Sequence, residues 1–295
     1  MTKKAAIKRL IREFNDRGAK WLLESPTNAR GLMAIIGDDI YKNLDFSRME
    51  RLPTTLIPAT LRKQEADLIF RIPYRTGDGE EEREILIFLL VEHQSKPDPL
   101  MGFRLLYYMV LIWDQQRREW QDQKIRQEEW TFWPIIPVVL YTGSESWDTP
   151  LSVSSMMDLP DALKKFVPQF DSLMLNLKES KPEDLVAPGH PFGWLLRVMQ
   201  KERASRQELE KALDEALEHL AGLAEEEQEA WDKAMTYLLL LLYHRRPEKE
   251  TQELSEKIRD QVVSAEENGA NEMLKSWAEE ALETGIQRGL QRGLR

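Results

Sequence analysis

Two carboxylates and a carboxamide, Asp67, Glu92 and Gln94, stand at the ends of two apolar runs. Asp67 opens DLIFRIPY, residues 67–74, while Glu92 and Gln94 close EILIFLLVEHQ, residues 84–94. Side chains alternate faces along a strand, so Glu92 and Gln94 point one way and His93 the other. The intervening TGDGEEE, residues 76–82, is rich in glycine and acidic residues and reads as a hairpin turn. A hairpin pairs positions whose numbers add to a constant, near 159 for a turn centred at about 79 or 80. Asp67 then falls opposite residue 92, within a residue or two. Ionised carboxylates brought together at the end of an apolar sheet repel each other and lose hydration. A divalent cation relieves both problems, and Mg2+ prefers oxygen ligands of this kind. Such an ion activates water and polarises a phosphoryl oxygen. Gln94 would hydrogen-bond the attacking water, or lend its own carbonyl or the adjacent peptide carbonyl to the metal. The plain alternative is that Asp67 and Glu92 are charged strand ends touching solvent.

The surrounding sequence supplies elements able to position these residues. Continuous apolarity through residues 84–94 predicts a strand covered on both faces, as in the centre of an α/β sheet. Pro97 and Pro99 end it, and LMGFRLLYYMVLIWDQQRREW, residues 100–120, reads as a long helix. Ile135–Tyr141 (IIPVVLY) is a third apolar strand, followed by a polar loop, with a weaker strand at Ser172–Leu177. Upstream, apolar positions at helical spacing predict helices over 5–24 and 29–43, separated by Pro26, Thr27 and Asn28. After about residue 190, segments 191–202, 206–221, 225–244, 249–265 and 270–285 all read as helices. The expected organisation is an α/β domain over 1–185 and an acidic α-helical region over 186–295. The tail GIQRGLQRGLR repeats glycine at Gly285, Gly289 and Gly293. It reads as a frayed, solvated end, or as a helix-on-helix contact that would make a homo-oligomer through the C-terminal helices.

Composition narrows the classes. The 295 residues contain no cysteine, which excludes disulfides, thiolate catalysis, zinc ribbons and iron–sulfur clusters. The longest apolar runs, Ile85–Val91 and Tyr237–Tyr243, are far shorter than a spanning helix. The charged N-terminus has no apolar signal region, so a cytoplasmic protein with no membrane partner is expected. Net charge is −10; residues 1–160 carry 22 basic and 24 acidic side chains, residues 161–295 carry 19 and 27. Acidity argues against avid non-specific DNA binding, although carboxylates that hold metal count toward it. The four histidines show no metal spacing, and no GxxxxGK[ST] phosphate loop, helix-turn-helix or zinc-finger spacing is present. Trp113, Trp120, Trp130 and Trp133 form an aromatic-rich stretch that reads first as core packing and second as a base-stacking surface.

DLIFRI from Asp67, LLVEHQS over Leu89–Ser95, FRLLYYM over Phe103–Met109 and PIIPVVLYTG over Pro134–Gly143, with Trp147 beyond, resemble a known family. This is the Rpn group of recombination-promoting nucleases, also labelled "putative transposases", within the PD-(D/E)xK nuclease superfamily. The resemblance covers roughly residues 20–180, and the tail is similar to tails in that group. It implies a restriction-endonuclease-like core, a mixed sheet flanked by helices, with metal at the sheet edge. It matches Asp67 and Glu92 to the metal-holding acids and Gln94 to the position where most of the superfamily carries lysine. Glutamine is common there within the group, but it brings a dipole where lysine brings a charge. Lys96 and Arg104 are candidates to supply that charge. Lys96 in its Pro-flanked loop also reads as solvated; Arg104 lies in an apolar helix, where a cation needs a partner such as Glu92.

Two functions follow as expectations. The first is a Mg2+-dependent DNA endonuclease, with Mn2+ as a substitute ion, tied to recombination or mobile elements. Its catalytic residues would be Asp67, Glu92, Gln94 and Arg104, and its metal ligands Asp67 and Glu92. The alternative is a weak or inactive nuclease fold acting as a binding or assembly module. A cut-and-paste transposase lacks a visible DNA-end recognition domain.

Overall fold

The structure is a computed structural model that describes residues 14–52, 68–76, 83–221 and 227–266. Among the described residues the chain forms two compact units, one over Ile36–Glu179 and one that joins the segment up to Ile35 with everything from Ser180 onward.

The first unit is built on a five-stranded sheet of β1 (Glu50–Leu52), β2 (Leu68–Thr76), β3 (Arg83–Gln94), β4 (Ile135–Tyr141) and β5 (Leu173–Asn176), in spatial order β1-β2-β3-β4-β5. The β1/β2 and β2/β3 pairs are antiparallel, whereas β3/β4 and β4/β5 are parallel, giving the expected mixed sheet. In the β2/β3 hairpin every pair of residue numbers adds to 159, from Leu68↔Val91 to Thr76↔Arg83. The expected turn lies outside the described residues for 77–82.

Burial follows the apolar pattern. Leu68, Phe70, Ile72, Leu89, Val91 and Val138 are buried on one face, and Ile69 and Val139 on the other. The second face is covered by α4 (Met101–Asp122), the parallel crossover between β3 and β4. Its Met101, Leu105, Tyr108, Met109 and Ile112, at helical spacing, pack on Ile69, Ile135 and Val139. Trp113, Trp133 and Trp147 flank this cluster. Trp113 donates from Nε1 to the Trp133 carbonyl at 2.9 Å, and Trp120 lies 5.8 Å from Trp130, so the aromatic stretch packs largely on itself. Pro137 sits before β5 pairing begins at Val138, where β4 still has an open side that tolerates a missing donor.

The second unit is helical: α1 (Phe14–Leu23), α2 (Pro26–Ile36), α5 (Pro182–Val186), α6 (Pro191–Gln200), α7 (Arg206–Leu220), α8 (Gln228–Arg245) and α9 (Glu248–Glu266). The short α3 (Asp38–Tyr41) follows a break in the expected 29–43 helix, where Asp38 takes φ +41°. Apolar on most of its circumference, α8 buries Trp231 and Leu238–Leu242. The sequence reading grouped residues 1–185, but Phe14 of α1 stacks on His244 at 5.0 Å and meets Tyr237 at 5.1 Å. An amphipathic helix must bury its apolar stripe somewhere, and α1 finds α8. The glycine-repeat tail and the 270–285 helix lie outside the described residues. No helix among the described residues is long and apolar enough to cross a membrane.

Candidate active site

The carboxyl end of β3 carries the candidate residues. Glu92 has no exposed surface, although it sits in an otherwise apolar strand. Alternation sets it on the same side of β3 as Gln94, the side that faces α4. Gln94 is half-buried; its backbone carbonyl accepts from Thr142 N at 3.0 Å. The row continues across the parallel strands as Gln94↔Tyr141↔Asn176, three polar side chains in register at one sheet end. His93 points the other way, as expected; it is buried, with Nε2 2.8 Å from Thr142 Oγ1.

The loop after β4 closes tightly on this end. A Cβ on Gly143 would lie 2.5 Å from the Ser95 carbonyl oxygen and against the Tyr141 ring, so only glycine lets the loop pass. The Tyr141 hydroxyl donates to the Glu145 carbonyl at 2.9 Å, and its ring meets Trp147 edge-on at 5.0 Å.

Arg104, one turn into α4, reaches Glu92. Its Nη2 donates to Glu92 Oε2 at 2.9 Å, as expected of a cation in an apolar helix. Sequence reasoning missed the second partner. Nη1 donates to Asp98 Oδ2 at 2.6 Å, and Asp98 Oδ1 accepts from Leu100 N at 2.9 Å. The available signal was an Asp shortly before a helix start, a residue that ties the first free N–H groups. Burial alone would weaken the Arg104 charge, but the Asp98 hydrogen bond and the Glu92 charge outweigh it and raise the pKa above its ordinary range. The guanidinium also lies 5.7 Å from the centre of the Tyr108 ring. Its buried Nε finds no hydrogen-bond acceptor among the described residues. Lys96 is exposed, which matches its solvated reading.

Asp67 lies outside the described residues. Among those described, no group of three or more His, Asp or Glu side chains gathers as a metal-binding cluster. What the structure brings together is a buried glutamate, a glutamine on the same face, and an arginine that joins the glutamate to Asp98.

Residues 14–231 match the model of the family described as "Putative transposase, YhgA-like". The chain belongs to this family. Its relatives carry recombination-promoting nuclease names, as the EHQS block and the RLLYY helix suggested. Recombination-promoting nuclease RpnD of Escherichia coli O157:H7 is 28% identical over 128 residues, 43% of this chain and 44% of that protein. The putative inactive recombination-promoting nuclease-like protein YjiP of E. coli K12 is 29% identical over 94 residues, 32% of this chain and 85% of that protein. The inactive recombination-promoting nuclease-like protein RpnE of E. coli K12 is 22% identical over 148 residues, 50% of this chain and 44% of that protein. The match thus spans less than half the length of RpnD. No solved structure matches the chain.

Proposed function

We propose that this family member is a divalent-metal-dependent DNA endonuclease acting at the carboxyl end of β3. The observation that carries this reading is Glu92: a carboxylate with no exposure, inside an apolar layer, beside Gln94 and under a guanidinium. Buried carboxylates are rare unless paired or holding a metal. The second acid of this reading is Asp67, which the sequence alone expects opposite residue 92, within a residue or two.

The donor set fits a hard cation, since Glu92, Asp67 and Gln94 offer only oxygen as metal ligands. In this reading Asp67 and Glu92 hold Mg2+, with Mn2+ as substitute. The ion, when bound, would supply an acidified water and charge for the phosphoryl oxygens. Gln94 orients the water by hydrogen bonding. Arg104 supplies the positive charge that lysine provides elsewhere in the superfamily and steadies the scissile phosphate.

The second reading is a nuclease fold without turnover that binds or assembles. It is favoured by the two relatives named inactive, and by Arg104, which already balances Glu92 without a metal.

Supercoiled plasmid incubated with purified protein and Mg2+ or Mn2+ separates the readings. Nicking by wild type should fall by on the order of 10³-fold or more in Asp67→Ala and Glu92→Ala. Equal trace cutting by all three proteins assigns it to contamination and leaves the binding reading.

A further inference from the structure

One cation here serves two carboxylates of different character. Arg104 Nη2 is 2.9 Å from Oε2 of Glu92, whose side chain has no exposure; Nη1 is 2.6 Å from Oδ2 of Asp98, whose side chain is 24% exposed. The planar guanidinium offers its two terminal nitrogens to separate acceptors, a geometry that lysine cannot copy. Asp98 is itself fixed, with Oδ1 held by Leu100 N at 2.9 Å and its carbonyl accepting Met101 N at 3.0 Å.

This arrangement creates a competition. A divalent cation bound by Glu92 must share or take the carboxylate that Arg104 holds. A guanidinium dependent on Glu92 alone would stay there and repel the metal, because leaving would strand a partly buried charge. A second, fixed carboxylate removes that conflict.

We propose that Asp98 is a positioning residue that holds Arg104 beside the site when Glu92 binds a divalent cation, and so sets the affinity for that cation. The inference rests on the metal-site reading above and adds to it a residue with no direct role in the reaction.

The test is Mn2+ binding to the full chain, read by the paramagnetic resonance signal of free Mn2+. Asp98→Asn keeps the shape and the oxygen that accepts Leu100 N but removes the charge. It should weaken Mn2+ binding by about tenfold, equivalent to roughly 1.4 kcal/mol. Asp98→Glu should recover most of the affinity. Adding Arg104→Gln to Asp98→Asn should restore affinity to the wild-type level or tighter, because the competing cation is gone. A purely structural role for Asp98 cannot produce that reversal. Unchanged affinity in Asp98→Asn, or a loss that persists in the double variant, overturns the inference while leaving a Glu92-dependent site standing. If wild type binds no Mn2+, or Glu92→Ala binds it equally well, the metal-site reading fails and this inference fails with it.

Discussion

In the sheet unit a glutamate with no exposure is held against an arginine inside an apolar layer, whereas in the helical unit the ion pairs that join α7 to α9 lie near water. Lys257 of α9 reaches Asp214 at 2.8 Å and Glu210 at 2.9 Å on α7; Arg206 of α7 pairs with Glu253 of α9. These side chains are about one-third to one-half exposed, so solvent screens them and each pair contributes roughly 0–1 kcal/mol. Burying Glu92 and Arg104 gains no such easy return. Desolvating two charges can exceed their attraction, and apolar side chains would pack as well there. The helical unit uses charge to join helices. The sheet unit holds it where stability alone would not ask for it.

Substitutions should therefore behave differently in the two units. Arg104→Ala strips a buried carboxylate of its guanidinium and should cost about 3 kcal/mol or more in urea denaturation, whereas Arg206→Ala should stay within about 1 kcal/mol. Adding Glu92→Gln to Arg104→Ala should recover much of the loss, because no buried charge is then left to balance. Similar small effects at both arginines would dissolve the contrast.

A smaller effect concerns His190, at the start of α6. Its Nδ1 accepts from Phe192 N at 3.1 Å, and burial, aided by the Arg30 charge, pushes its pKa down from 6.5 to about 4. The folded state thus binds its proton less readily than the unfolded one. The stability it contributes is fully present above about pH 6.5 and is lost as pH falls toward 4. Between those limits the change should be on the order of 2 kcal/mol. His190→Asn, which cannot titrate but still caps a helix, should flatten this part of the stability–pH curve. Below this in size, Ser205→Ala removes the capping box that Ser205 and Glu208 form at the start of α7 and should cost about 1 kcal/mol.

The sequence made the strands legible where burial had left its mark. The apolar run Ile85–Val91 marked β3, whose Leu89 and Val91 are buried, and the β2/β3 register followed from the position of a turn. The Glu92–Arg104 pair could be read because a cation among Phe103, Leu105 and Leu106 requires a partner. Other features left no such trace. β1 is only Glu50, Arg51 and Leu52, an edge strand formed by pairing with β2 and not by any apolar pattern of its own. The union of α1 with the C-terminal helices depends on which apolar stripe meets which, and Phe14 does not name Tyr237 in advance. Asp98 was hidden for a related reason. Its role comes from the short connection that turns β3 into α4, which aims one oxygen at a backbone N–H and the other at Arg104.

Everything proposed for the site depends on Asp67 joining Glu92. Calorimetric titration of Mn2+ into wild type and Asp67→Asn, with matched folding by circular dichroism, isolates that junction. A single Mn2+ site in wild type that is lost in Asp67→Asn is the expected result. Mn2+ binding in Asp67→Asn indistinguishable from wild type would contradict it, and with it the two-carboxylate metal site.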